Sequence, residues 1–169
     1  MTDTEIDTSC APAPGRAILR IGGPDGLSFL QGLVTNDVHR LADAGIVYAA
    51  LLTPQGKFLA DFFLVAQGDD ILLDTDAALA DDLLKRLTMY RLRSKVEIER
   101  VEMAVTRGIG PAPGRALADP RHPAMGWRLY GETEGDDGTD WDAIRVDRII
   151  PETGIELTPE TYILEAGFE

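Results

Sequence analysis

The chain has 169 residues, 44% of them hydrophobic, enough for one substantial core or two small ones sharing an interface. A formal net charge of −13 disfavours nucleic acid, whose binding rests largely on phosphate neutralisation. One cysteine excludes an internal disulfide and suits a reducing compartment, no apolar run approaches the roughly 20 residues of a membrane span, and the acidic N-terminus resembles neither a secretory signal nor a transit peptide; these features read as a cytoplasmic protein.

Residues 1–15 read as a disordered lead-in that closes on Ala-Pro-Ala-Pro-Gly and carries Cys10 as a surface thiol without function. Ala17 to Ile21 is β-like and stops at Gly22-Gly23. Pro24 suits the first turn of a helix, with Leu27, Leu30, Leu33 and Val34 at helical spacing. Gly32 inside that helix costs on the order of 1 kcal/mol, which either a tight backbone approach or a neutral accident would explain. The helix ends at a polar Thr35-Asn36-Asp37 corner holding the chain's one asparagine.

Ile46 to Leu52 and Phe58 to Val65 flank Thr53-Pro54-Gln55-Gly56, a hairpin signal. Asp61 stands alone among Phe, Leu and Ala on the second strand, so it is exposed at an edge or aimed into a cleft. Asp69-Asp70 turns into a strand at 71–74. Ala77 to Tyr90 carries leucines at 79, 83, 84 and 87 on one helical face, with Thr75 or Asp76 as N-cap. Val96 to Val105 alternates as a half-buried strand. Together these elements predict an α+β unit on an antiparallel sheet over 16–106. Residues 107–169 form a second segment, with a connector at 108–123, a strand at 125–130, an acidic loop at 131–140 and a helix at 141–149 ended by Pro151.

Few residues suggest chemistry. Gly108 to Gly114 is not a phosphate loop, because Pro111 and Pro113 remove the backbone donors. His39 and His122 lack companion ligands at metal spacing, so no metal is expected. No serine or cysteine sits in a nucleophile elbow, and two histidines give little scope for a triad. Lys85, Arg86, Arg91, Arg93, Lys95 and Arg100 are either a solvated helix end and strand edge or a landing place for an anion. Trp141 is either core or, with Asp147 about two turns on, a plate and a carboxylate for a heteroaromatic ring.

The stretches Phe29-Leu-Gln-Gly-Leu-Val-Thr-Asn-Asp-Val38, Leu51-Leu-Thr-Pro-Gln-Gly-Lys-Phe-Leu-Ala-Asp61 and Tyr90-Arg-Leu-Arg-Ser-Lys-Val96 resemble the YgfZ group of folate-binding proteins. That group takes part in iron–sulfur cluster assembly and repair and is related to the glycine-cleavage T-protein, an aminomethyltransferase. The resemblance runs from about residue 15 to the end. It implies an antiparallel α+β fold with tetrahydrofolate held in a central opening, Trp141 stacking on the pterin, Asp147 hydrogen-bonding its edge, and Asn36 and Asp61 lining the opening. Arg16 falls near an aromatic position of the group and carries no contact over.

Two departures follow from the same comparison. The aminomethyltransferases place paired aspartates after Gly-Gly-x-x; here the pair reads Ala60-Asp61 and Lys57 replaces the second glycine, so the acid linked to aminomethyl transfer is missing. The group's Lys-Gly-Cys-Tyr-x-Gly-Gln-Glu signature is expected after Glu169, so the chain reads as an N-terminal fragment. The implied function is tetrahydrofolate binding in support of iron–sulfur cluster assembly or repair, with client iron–sulfur proteins as partners and no catalytic residue. The alternatives are a glycine-cleavage-type aminomethyltransferase and an acidic protein-interaction module using 132–142.

Overall fold

A computed structural model describes residues 9–13, 15–110, 112, 114–131, 141–153, 155 and 157–162. Strands Ser9–Pro12 (β1) and Arg16–Gly22 (β2) come first, followed by helix Gly26–Gln31 (α1), a 3-10 turn at Val38–Arg40 and helix Leu41–Ala44 (α2). Strands Ile46–Leu52 (β3), Phe58–Gln67 (β4) and Asp70–Asp76 (β5) lead into helix Ala77–Tyr90 (α3). Strands Glu97–Val101 (β6), Val105–Ile109 (β7), Leu117–Ala118 (β8) and Trp127–Tyr130 (β9) then precede helix Trp141–Asp147 (α4).

Two antiparallel sheets result, ordered β3-β4-β5-β2-β6 and β1-β7-β9-β8. Alternation along the strands assigns each face of the five-stranded sheet a different neighbour. Leu19, Ile21, Val47, Ala49, Ala60, Phe62, Leu64 and Leu73 pack with Phe29, Leu30, Leu83 and Leu87 of α1 and α3 in the main apolar cluster. Ile18, Ile46, Phe63, Val65 and Leu72 point the other way and meet Val105, Leu117 and Tyr130 of the second sheet. The layers are therefore helices, five strands and four strands, which bears out the antiparallel α+β architecture.

The hairpin at 53–56 and the helix at 77–90 form as their sequence signals predict, and Asp76 caps that helix by accepting from the Ala78 N–H at 2.8 Å. Four expectations need correction. Residues 9–12 of the supposed lead-in pair in register with β7, Cys10 opposite Gly108, because β7 offers a free edge. The long helix from Pro24 shrinks to six residues: Gly32 is its C-cap, with a φ of −76° open to any residue, and a Cβ there would meet nothing closer than 3.7 Å, so no tight contact accounts for the glycine. The strand expected across 96–105 breaks at 102–104, where the chain leaves one sheet for the other. Helix α4 stops at Asp147, and Ile149 follows with a φ of 56°. Of the acidic loop expected at 131–140, residues 132–140 lie outside the described residues. Among the described residues, no helix is long and apolar enough to cross a membrane.

Candidate functional site

The space between the sheets is apolar at one end and ionic at the other. Phe63 marks the change: the guanidiniums of Arg128, Arg121 and Arg16 lie 4.1, 4.9 and 5.9 Å from its ring centroid. A phenyl face attracts a cation through its quadrupole, but three cations on one ring need counter-charges. Asp74 supplies one from β5, wholly buried, accepting from Arg16 Nε, Arg128 Nη2 and the Tyr130 hydroxyl at 2.7 Å each. Asp119 supplies another: both its oxygens accept from the Arg121 side chain, at 2.7 Å from Nη2 and 3.0 Å from Nε.

These contacts set the protonation states. Burial pushes the Asp74 carboxyl up, yet the Arg128 and Arg16 charges and the Tyr130 hydrogen bond outweigh it and leave the group below its ordinary 3.8. Burial, with the Asp74 charge, raises the Tyr130 phenol, which stays protonated and donates. Arg107 differs. It stands directly opposite Arg128 in the β7–β9 register, with its guanidinium 4.5 Å from the Trp141 ring centroid. Its Nε is buried and has no hydrogen-bond partner among the described residues. Burial first, then the Arg128 and Arg121 charges, pull it down to about 10, while Glu152 opposes them.

Asp61 completes the cluster. Strand alternation turns Ala60 into the apolar cluster beneath the helices and Asp61 toward the second sheet. The Tyr48 hydroxyl donates to Asp61 Oδ2 at 2.5 Å and the Thr153 hydroxyl donates to Oδ1, so segment 150–153 is tied to β4. Burial and the Asp61 charge raise the Tyr48 phenol well above its usual range.

The four residues selected in the sequence are not gathered around one opening. Asn36 and Asp61 share Tyr48: the Asn36 amide donates to its backbone carbonyl at 2.9 Å, while Asp61 takes its hydroxyl. Thr35 accepts from Ala50 N–H at 2.9 Å and gives its own N–H to the Ala50 carbonyl at 3.0 Å. The Thr-Asn corner thus closes the open edge of β3, a protective role for polar side chains. Trp141 is 9% exposed and packs with Met125 and Ile150, and one face of its ring carries Arg107. Asp147 is exposed and pairs with Arg148 at 3.2 Å, whereas the indole is buried.

The basic residues between 85 and 100 do not converge either. Arg86 pairs with Asp82 and Arg100 with Asp81, as on a solvated face. The cations that do converge are Arg16, Arg107, Arg121 and Arg128. Arg107, Arg121 and Arg128 are not among the candidates that the sequence motifs single out; the local signals for them are Arg128 and Tyr130 at a two-residue spacing on one strand, and Asp119 two before Arg121.

No family model matches the chain. The iron–sulfur cluster assembly factor IBA57, mitochondrial, of Homo sapiens is 32% identical over 75% of this chain and 44% of that protein. The Mus musculus protein of the same name is 30% identical over 89% of the chain and 53% of its own length. The IBA57 homolog of Phaeosphaeria nodorum is 28% identical over 99% and 48%. The chain thus spans about half the length of these curated relatives. Among solved structures, the glycine cleavage system aminomethyltransferase T from Bartonella henselae superposes with a TM-score of 0.55 at 18% identity, over 62% of this chain and 29% of that one, a likeness of fold.

Proposed function

Since this chain is a YgfZ-type member of the superfamily of the glycine-cleavage T-protein, we propose that it is the folate-binding part of a protein that supports iron–sulfur cluster assembly or repair. The observation that carries the reading is the similarity to proteins named as iron–sulfur cluster assembly factors across 75–99% of the chain. The clients are iron–sulfur proteins, and the compartment is an aqueous, reducing one, cytoplasmic by composition; the curated relatives themselves are named mitochondrial.

Folate binding is supported by donor and acceptor chemistry. A reduced folate offers ring amino and N–H donors. Asp61 is a buried carboxyl whose two oxygens accept from the Tyr48 and Thr153 hydroxyls, and each oxygen has a second lone pair for such a donor. The Trp141 indole N–H is buried without a partner among the described residues and would suit a ligand acceptor. Asp147 enters the proposal only as the edge contact that the family resemblance implies, since its side chain faces solvent. Aminomethyl transfer is the weaker reading, because Ala60 sits 2% exposed among apolar side chains.

Calorimetric titration with tetrahydrofolate tests the ligand. Saturable binding that weakens in Asp61→Asn and Trp141→Phe is expected, and its absence at high micromolar ligand sinks the folate claim. Depleting the protein in its host tests the role: iron–sulfur enzyme activities in extracts should fall, while the abundance of those enzymes holds. Unchanged activities overturn it.

A further inference from the structure

Arg107 and Arg128 are a directly opposed cross-strand pair on the face of the second sheet that meets the first. Like charges in that position repel, so each needs its own counter-charge. Arg128 has Asp74, which also serves Arg16, and Arg121 has both oxygens of Asp119. Glu152 is the carboxylate whose field favours the charged Arg107, but it is half exposed and lies 3.0 Å from Arg145 Nε. What Arg107 has instead is the face of Trp141, and a buried Nε with no acceptor among the described residues. Four guanidiniums therefore share this end of the layer with Asp61, Asp74 and Asp119, in a chain whose net charge is −13. General composition does not put an excess of cations there.

A guanidinium left in this condition lacks one kind of partner, an acceptor with two oxygens that can take Nε and a terminal nitrogen together. Arg107 as a residue is only half buried, so a small solute can approach the guanidinium even though Nε itself is covered. We propose that Arg107, stacked on Trp141, is the centre of an oxyanion site at the ionic end of the space between the two sheets, taking a carboxylate or phosphate group of a small molecule. Arg121 and Arg128 add attraction at close range without giving up their own carboxylates. The site does not depend on folate: its probes contain no pterin, and a tetrahydrofolate titration of the same variants separates failure of one idea from failure of the other.

The test is calorimetry on the purified chain in chloride-poor buffer with two probes, inorganic phosphate and glutarate. Saturation by at least one, with a dissociation constant at or below about 1 mM, is expected. Phosphate alone identifies a phosphate group, glutarate alone a carboxylate, and both a general oxyanion site. Arg107→Gln should weaken binding at least about tenfold and Arg107→Lys by less, because lysine keeps the charge and loses the fork. Arg100→Gln, on the surface pair with Asp81, should bind as the parent does. In a Trp127→Phe background, where Trp141 is the remaining tryptophan, the bound anion should also shift the indole emission. Failure of both probes to saturate the parent protein overturns the proposal. So does unweakened binding in folded Arg107→Gln, and should that variant not fold, unweakened binding in Arg107→Lys.

Discussion

The Arg128 guanidinium and the Asp74 carboxylate meet at 2.7 Å, 3% and 0% exposed, and join β9 of one sheet to β5 of the other. A buried pair is weak evidence of net stability, but removing one member leaves the other charged and dry. Asp74 has the larger role, since it also holds Arg16 and Tyr130. Asp74→Ala should cost about 3–5 kcal/mol in urea unfolding. Arg128→Met should cost less, because Arg16 still balances Asp74. An Asp74→Ala change within about 1 kcal/mol of the parent would contradict this account.

The same carboxylate sets an acid limb. Its folded value lies below the ordinary 3.8, so its contribution to stability is fully present above the unfolded value and is lost as pH falls through the folded one. Stability measured at pH 7, 5, 4 and 3 should therefore fall most steeply below about pH 4. Asp74→Asn lacks this contribution, and the gap between the two proteins should narrow over that range. A constant gap would assign the acid limb to other groups.

Ala60 bears on the enzyme alternative. It is 2% exposed and belongs to the apolar cluster beneath the helices, an environment that offers a carboxylate no side-chain donor among the cluster's members. Ala60→Asp restores the acid of the aminomethyltransferase pattern but should destabilise by about 3 kcal/mol or more through burial of an unpaired charge. It should yield no tetrahydrofolate-dependent ammonia release from an aminomethyl donor. A stable, active Ala60→Asp protein would show that this position opens to a ligand.

Gly126 governs where Arg128 arrives. Its φ is 72°, and a Cβ would lie 1.9 Å from the Gly108 carbonyl oxygen, so β9 cannot close on β7 with any other residue there. Gly126→Ala should lower stability by about 3 kcal/mol or more and loosen the packing of Trp127, seen as a weaker near-ultraviolet dichroism signal. An unchanged signal would mean that the strand pair tolerates the shift.

Local signals read well where one element decides its own form. The helix at 77–90 has its leucine face and Asp76 cap, and the hairpin at 53–56 has its turn residues. What the sequence hid depended on pairing between distant segments. Nothing in Ser9–Pro12 says that β7 has an edge to fill, and Val96 to Val105 alternates smoothly although the chain changes sheets at 102–104. The candidate site was hidden for the same reason. Arg16, Arg107, Arg121 and Arg128 come from four separate stretches, and only the stacking of the sheets brings them to Phe63 and Trp141. Asn36, by contrast, stood out as the lone asparagine of a polar corner, and its observed contacts explain the corner structurally.

That role leads to a last expectation. The Asn36 side chain donates to the Tyr48 carbonyl and accepts from the Asp37 N–H at 2.8 Å, while Thr35 covers both polar groups of Ala50. β3 ends the five-stranded sheet, so these bonds occupy backbone groups that would otherwise invite a second chain. Asn36→Ala should cost about 1 kcal/mol for the lost hydrogen bonds and raise the tendency to self-associate, read by urea unfolding and light scattering at several concentrations. Because Asn36 reaches Tyr48 through its backbone, ligand affinity should change by less than about threefold in this variant. A large loss of tetrahydrofolate affinity with unchanged stability would instead make Asn36 a ligand contact, returning it to the role its position in the motif first implied.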